Sequence, residues 1–263
     1  MGPPYHRPAS VRRPFSSATA ALRRASPGRG RHGGEFLAEL LDFEGAVQLA
    51  QALDAPPASH GEVASPEQAV ARAQRRLAEA EREARLPLHD PHTGAPLVTA
   101  ERIARVLARA GVPASRPRKA IEGAARELFG ALEARTLQRI GSVRRVVAEI
   151  RRELGPAVAA SGAQAARLEQ IDAALTGATA AREGALVARA VSAVGDGFAA
   201  DLERAVLALP KPCEELPVEA WAGEGGFVAE HVGRCESLAL AAFVHERARV
   251  DMLVGNTLGG RLG

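Results

Sequence analysis

The sequence of 263 residues predicts an all-α fold: a long antiparallel helical hairpin, additional packed helices and a disordered basic N-terminal tail. Three observations point there. Aromatic residues make up only 3% of a chain that is 46% hydrophobic, so the core falls to Leu, Val, Ile and Ala. Strands draw on aromatic as well as β-branched residues, and here the aromatic half of that material is scarce. Apolar residues recur at steps of three and four over long stretches, while no strand-like alternation of useful length and no repeat of fixed period occurs. The length allows one large domain or two small ones, enough to bury a core.

Charge separates the beginning from the rest. Residues 1–34 hold seven Arg and no acid, and the first carboxylate is Glu35. Of 34 basic and 31 acidic residues, the remainder keeps 27 and 31, so a net +3 chain has a body of −4. A nucleic-acid surface calls for a basic patch on a folded face, which makes nucleic acid an unfavoured partner unless the tail itself binds it. The tail's Arg and Ser also suit a transit peptide, but "GPPYHRP" and "SPGRGRHGG" read better as disordered. Lys occurs only at Lys119 and Lys211, so the preference for Arg is chain-wide rather than local. Two cysteines, Cys213 and Cys235, make no disulfide framework, and no uncharged apolar run approaches the ~18 residues of a membrane span. A cytoplasmic protein without membrane insertion is the expectation.

The elements follow in order. A short helix is expected from Ser16 ("SSATAALRRA"), then a helix over 35–53 with Phe36, Leu37, Leu40, Leu41 and Val47 at helical spacing. "DAPPASHGEVAS" is a linker. Ser65-Pro66-Glu67-Gln68 predicts a helix start with Ser as N-cap, Pro in the first turn and Gln completing a capping box. That helix should reach Arg85 with only a thin apolar stripe. Thr99 caps "AERIARVLARA", and Gly111 stands where a C-terminal glycine belongs.

From Arg116 to Leu154 the apolar line runs Ile121, Ala125, Leu128, Leu132, Thr136, Ile140, Val143, Val147, Ile150, Leu154. Its steps make a coiled-coil-like seam with a stutter near Thr136, on a helix about 58 Å long at 1.5 Å per residue. "GPAVAASG" (155–162) is expected to break it. A second pattern follows, through Leu168, Ile171, Leu175 and Ala178, then Val187, Val191, Val194, Phe198, Leu202 and Val206. Two long amphipathic helices across a short break predict an antiparallel hairpin. Three prolines in "LPKPCEELP" close this unit. A last helix over 227–258 places Val228, Val232, Cys235, Ala239, Ala242, Arg249 and Leu253 on one face. The segments are thus a tail (1–34), N-terminal helices with Pro/Gly linkers (35–111), and the hairpin with the C-terminal helix (112–263).

Candidate chemistry is sparse. In "LPLHDPHTGAP" (86–96), His89 and His92 flank Asp90-Pro91. Two imidazoles fall short of a zinc ligand set, and Asp-Pro and Thr-Gly are turn dipeptides, so a turn is favoured. His231 and Cys235, one helical turn apart, could share a metal if Cys213 or the 86–96 histidine loop folded over supplied further ligands, or could form a nucleophile pair. The competing reading is a packed thiol with a partly exposed imidazole. His245 lies about 15 Å further along the helix, too far to join. The glycines of "VGDGF" and "GNTLGGRLG" lack the strand-to-helix setting of a phosphate loop. Arg144, Arg145, Arg151 and Arg152 form two pairs seven apart, opposite the Val143–Val147–Ile150 seam. This is a candidate basic stripe for an acidic partner helix, or otherwise a solvated face. No catalytic, cofactor-binding or metal-ligating residue stands out.

Four segments carry a resemblance: "GEFLAELLDFEGAVQLAQALDAPPA", "ALEARTLQRIGSVRRVVAEIRREL", "ARLEQIDAALTGATAAREGALVARAVSAVGDGF" and "LALAAFVHERARVDMLVGNTLG". In that order, from about residue 16 to the C-terminus, the chain resembles a proteobacterial family of helical domains of unknown function. Members are encoded beside MotA/ExbB-like proton-channel and OmpA-like peptidoglycan-binding proteins, in loci of the type III Zorya antiphage kind. The resemblance implies a non-catalytic, cytoplasmic accessory protein of an ion-driven membrane motor in antiphage defence. Its partner would be the MotA/ExbB-like subunit or a co-encoded accessory protein, and oligomers are compatible with it. It carries over no catalytic residue and no cofactor. The alternatives are a metal- or thiol-dependent enzyme at Cys213, His231 and Cys235, and a nucleic-acid-binding protein using the Arg-rich tail.

Overall fold

A computed structural model describes residues 43–56, 65–210 and 215–259. The tail, the helix expected from Ser16, the front of the 35–53 helix and Cys213 lie outside the described residues. Within them the chain is all-helical: α1 (Phe43–Asp54), α2 (Pro66–Arg85), α3 (Ala100–Arg109), α4 (Val112–Ser115), α5 (Arg118–Ala160), α6 (Ala163–Leu207), α7 (Val218–Ala222) and α8 (Phe227–Gly259). The long antiparallel hairpin is α5 and α6.

Local signals account for several boundaries. Ser65 precedes α2 with Pro in the first turn, but its side chain caps no backbone N–H. Its hydroxyl donates to the Glu67 carboxylate instead, so the expected capping box does not form. Thr99 does cap α3, accepting from the Arg102 N–H at 3.2 Å. Gly111 then ends the helix at φ +67°, a left-handed conformation that costs glycine little.

The expected break at 155–162 comes late. α5 runs through Gly155-Pro156 to Ala160, and the turn is confined to Ser161 and Gly162. Proline removes one donor and crowds the preceding turn. Here packing outweighs that cost, because Leu154, Ala157 and Val158 are all buried. Gly155 also admits Glu169 of α6, whose Oε1 would lie 2.9 Å from an added Cβ.

Two apolar clusters explain the arrangement. In the first, Ile121, Leu128, Phe129 and Leu132 of α5 meet Val191, Phe198, Leu202 and Val206 of α6, with Val228 and Cys235 of α8 and residues of α3. In the second, Val143, Val147, Ile150, Leu154 and Val158 of α5 meet Val70, Ala73 and Leu77 of α2, and Phe243, Val250 and Leu253 of α8. The α5 seam therefore changes partners between Leu132 and Val143, which brackets the stutter at Thr136. Thr136 itself is buried and donates to the Leu132 carbonyl at 2.7 Å. The result is a four-helix bundle of α2, α5, α6 and α8. α5 and α8 run side by side in the same direction, flanked by α2 on one side and α6 on the other. Both clusters draw on residues before and after residue 112. α1 packs on α6, where Arg167 donates to the Ala52 and Ala55 carbonyls at its C-terminal end. None of the described helices is long and apolar enough to cross a membrane.

Candidate functional site

Two clusters of polar groups lie between the long helices of the bundle. The first is at the start of α8. His231 is fully buried, and its Nε2 lies 2.9 Å from Asp201 Oδ2 on α6. Its Nδ1 is buried without a hydrogen-bond partner. Phe198 meets the imidazole edge-on at 5.6 Å between ring centres, and Phe129 and Phe227 each lie 5.8 Å from Phe198. Trp221 adds to the group at 6.0 Å from Phe227. A chain with few aromatics thus concentrates them around one imidazole. The hydrogen bond with His231 lowers the Asp201 carboxyl below its ordinary range, outweighing partial desolvation with help from Arg204.

The glycines of "VGDGF" find their reason here. A Cβ at Gly195 would lie 2.8 Å from the Phe129 ring, and one at Gly197 would lie 3.1 Å from His231 Cε1. Both sit inside α6 and let rings from neighbouring helices approach its backbone. They serve packing.

Cys235, one turn beyond His231, is fully buried beside Thr136, and burial pushes its thiol up to about 11. The thiolate is the reactive and metal-binding form, so this environment opposes both chemistries. The imidazole expected to be partly exposed is buried instead, because α8 turns Val228, His231, Cys235, Ala239 and Phe243 inward together. Among the described residues no group of three or more His, Cys, Asp or Glu side chains could hold a metal.

The second cluster lies between α5, α6 and α8. Arg151 donates to the Asp172 carboxylate and to the Thr176 hydroxyl, the latter at 2.5 Å. Two turns further along α6, Glu183 accepts from Arg249 at 2.9 Å and from the Thr179 hydroxyl at 2.8 Å, with Arg144 at 3.6 Å. Arg144 also lies 3.4 Å from Glu246, and Arg249 lies 3.8 Å from it. Burial pushes the Glu183 carboxyl up, but the Thr179 hydroxyl and the positive charges of Arg249 and Arg144 more than offset this. Two arginines and two glutamates thus form a charge-balanced, largely buried square.

This square divides the candidate basic stripe. Arg144 and Arg151 point into the bundle and pair with acids of α6 and α8, whereas Arg145 and Arg152 are exposed. The four do not form one outward face opposite the seam, because α5 is the central helix and has neighbours on three sides. Glu149, one turn beyond Arg145, accepts from Arg76 of α2 at 3.0 Å. Apolar periodicity had no means of finding Asp172, Thr179 and Glu183. Their signal is a polar line on α6 matching an arginine line on α5.

The histidine stretch is a turn. Asp90 Oδ1 accepts from the His92 and Thr93 N–H groups at 2.8 and 3.0 Å, and the Asp90 carbonyl accepts from Gly94 N–H at 2.9 Å. Both imidazoles are exposed. The base of the turn is clamped from the bundle. Arg139 donates to the Leu86 and Pro87 carbonyls, and Glu236 accepts from the Leu88 N–H at 2.9 Å. A similar clamp joins the bundle's other connection, where Arg116 donates to the Leu209 and Pro210 carbonyls.

Comparison with family models, with curated proteins and with solved structures gave no match.

Proposed function

We propose that the protein is a non-catalytic helical accessory protein of a Zorya-like, ion-driven membrane motor in antiphage defence, acting through protein contacts in the cytoplasm. The resemblance of the four segments to helical proteins of such loci carries the system. One structural observation supports the interaction role. Buried ionisable side chains join one element to another: Arg116 to the 209–210 turn, Arg139 to the 86–87 turn, Arg151 to α6, Glu246 to Arg144, and His231 to Asp201. Side chains committed to holding a rod of helices together suit a scaffold for partners. On the outer side of that rod, Arg145 and Arg152 stand one heptad apart and exposed. They are the residues for an acidic helix of a MotA/ExbB-like subunit or of a co-encoded accessory protein to meet.

The test is genetic and then biochemical. Deleting the gene should raise phage plating efficiency, and Arg145→Glu/Arg152→Glu should do the same while leaving expression and thermal stability intact. Co-purification with the motor subunit should fall in parallel. A deletion without effect against a broad phage panel overturns the defence reading. A charge-reversed double variant that still protects removes these two arginines from the contact.

A further inference from the structure

α6 is attached to the bundle in two chemically different ways. Its second half contributes Val191, Phe198, Leu202 and Val206, all fully buried, to a large apolar contact that the His231–Asp201 and Arg118–Glu203 pairs border. Between residues 163 and 186 its only buried residues are Ala165, Ala166, Asp172 and Thr179. No large apolar side chain of that stretch is buried. What crosses the interface there is Arg151 to Asp172 and Thr176, and Arg144 and Arg249 to Glu183. α1 adds no second anchor, since its substantial contacts among the described residues are with α6.

These observations set the cost of separation. Moving an apolar helix face into water loses the hydrophobic term in full. Moving paired charges into water loses their attraction but recovers their hydration, so the net change is small. Sub-global opening falls where buried apolar contact is least. The hairpin turn at Gly162 (φ +149°) and the unhindered glycines Gly177 and Gly184 lie within this half.

We propose that the first half of α6, with α1 on its back, is a charge-latched arm that opens while its second half stays seated. Its release uncovers an arginine face made by Arg144, Arg151 and Arg249. In the closed state that face is filled by Asp172, Thr176, Thr179 and Glu183, which are spaced i, i+4, i+7 and i+11 along one side of α6. The face therefore fits a helix bearing two carboxylates three turns apart, on the order of 16 Å along the axis. An acidic partner helix competes with the protein's own α6 for it. This holds whether or not the protein serves in phage defence, and it concerns inward-facing arginines rather than Arg145 and Arg152.

Hydrogen exchange of the full chain tests the latch. In low salt, peptides covering 168–185 and 43–54 should exchange together, about tenfold or more faster than those covering 191–207. Salt at about 0.5 M should speed the first group far more than the second, whose buried contact is mainly apolar. Asp172→Asn/Glu183→Gln should reproduce the salt effect in low salt, with 191–207 as the internal control for folding. Equal protection of the two halves, or a 168–185 stretch indifferent to salt, overturns the arm. The face is tested with a synthetic peptide of residues 163–190 as probe. It should bind the double variant saturably, and the same peptide with Asn at 172 and Gln at 183 should not. Equal binding of both peptides, or of neither, overturns the acidic-helix docking.

Discussion

His231 and Asp201 meet 2.9 Å apart across the α6–α8 contact, the imidazole fully buried and the carboxylate at the bundle surface. The pair places a polar link inside the most aromatic part of the core. Removing the ring leaves a hole beside Phe198 and leaves the carboxylate to the exposed Arg204. His231→Ala should therefore cost about 2–4 kcal/mol in urea unfolding, as a buried ring deletion does. Asp201→Asn should cost less, because the ring stays packed. The pair also has a pH signature. The folded-state Asp201 carboxyl is lowered, so the folded chain takes up its proton at lower pH than the unfolded chain. Its stabilisation is fully present above the ordinary carboxylate range, near pH 4, and is lost as pH falls through the lowered value. Stability measured from pH 6 down to 3 should fall less steeply in Asp201→Asn than in wild type. Identical slopes would show that the hydrogen bond carries no linkage.

Arg144 and Arg145 are neighbours in sequence with opposite fates, so the same truncation should cost different amounts. Arg144→Ala leaves Glu183 and Glu246, both largely buried, to share Arg249. A loss of about 1–3 kcal/mol is expected, typical of an unpaired buried charge with some compensation. Arg145→Ala, on the exposed side, should cost under ~0.5 kcal/mol. Equal midpoints in chemical denaturation would remove Arg144 from the buried network.

What the sequence made legible follows from the range of each interaction. The Thr99 cap, the Gly111 stop and the 227–258 helix rest on neighbours within one or two turns, and each stands where expected. The break expected over 155–162 is confined to 161–162, because Pro156 sits in a helix held by contacts with residues far along the chain. The α6 pattern was half right. Phe198, Leu202 and Val206 are buried as their spacing implied, while Leu168, Ile171 and Leu175 are only half-buried. The inward positions beside them belong to Asp172 and Thr179. A charged residue reads as solvated until its partner is known, and Arg151 is supplied by another helix. The burial of His231 is hidden for the same reason: Asp201, the partner of its Nε2, lies thirty residues away.

Two glycines of α6 should respond to alanine with opposite signs. In a helix interior, Gly→Ala normally stabilises by up to about 1 kcal/mol, through backbone entropy. Gly184 has open space around the position of a Cβ, so Gly184→Ala should raise the melting temperature. At Gly195 the new methyl would lie 2.8 Å from two carbons of the buried Phe129 ring. Gly195→Ala should lower the melting temperature instead, since displacing a packed ring typically costs about 1–3 kcal/mol. If both variants are stabilised, Phe129 has room to turn away and the close approach at Gly195 is not a constraint.

The last prediction concerns the 86–96 turn, where imidazoles and turn geometry make separable demands. His89 and His92 are exposed, and His92 enters the turn through its backbone N–H, which any residue other than proline supplies. His89→Ala/His92→Ala should accordingly leave the melting temperature, the zinc content of the purified protein and any phage protection unchanged. Asp90 differs, because its Oδ1 gathers two backbone N–H groups and these bonds lower its carboxyl. Asp90→Ala should lower the melting temperature near neutral pH. The difference should shrink as pH drops below the ordinary carboxylate range, where wild type protonates Asp90 and loses the same bonds. Gly94, at φ +67°, adds a backbone demand, and Gly94→Ala should cost on the order of 1 kcal/mol for the left-handed conformation. Stoichiometric zinc in wild type that vanished from the double histidine variant would show that the imidazoles are ligands. The stretch would then be a metal site built on a turn.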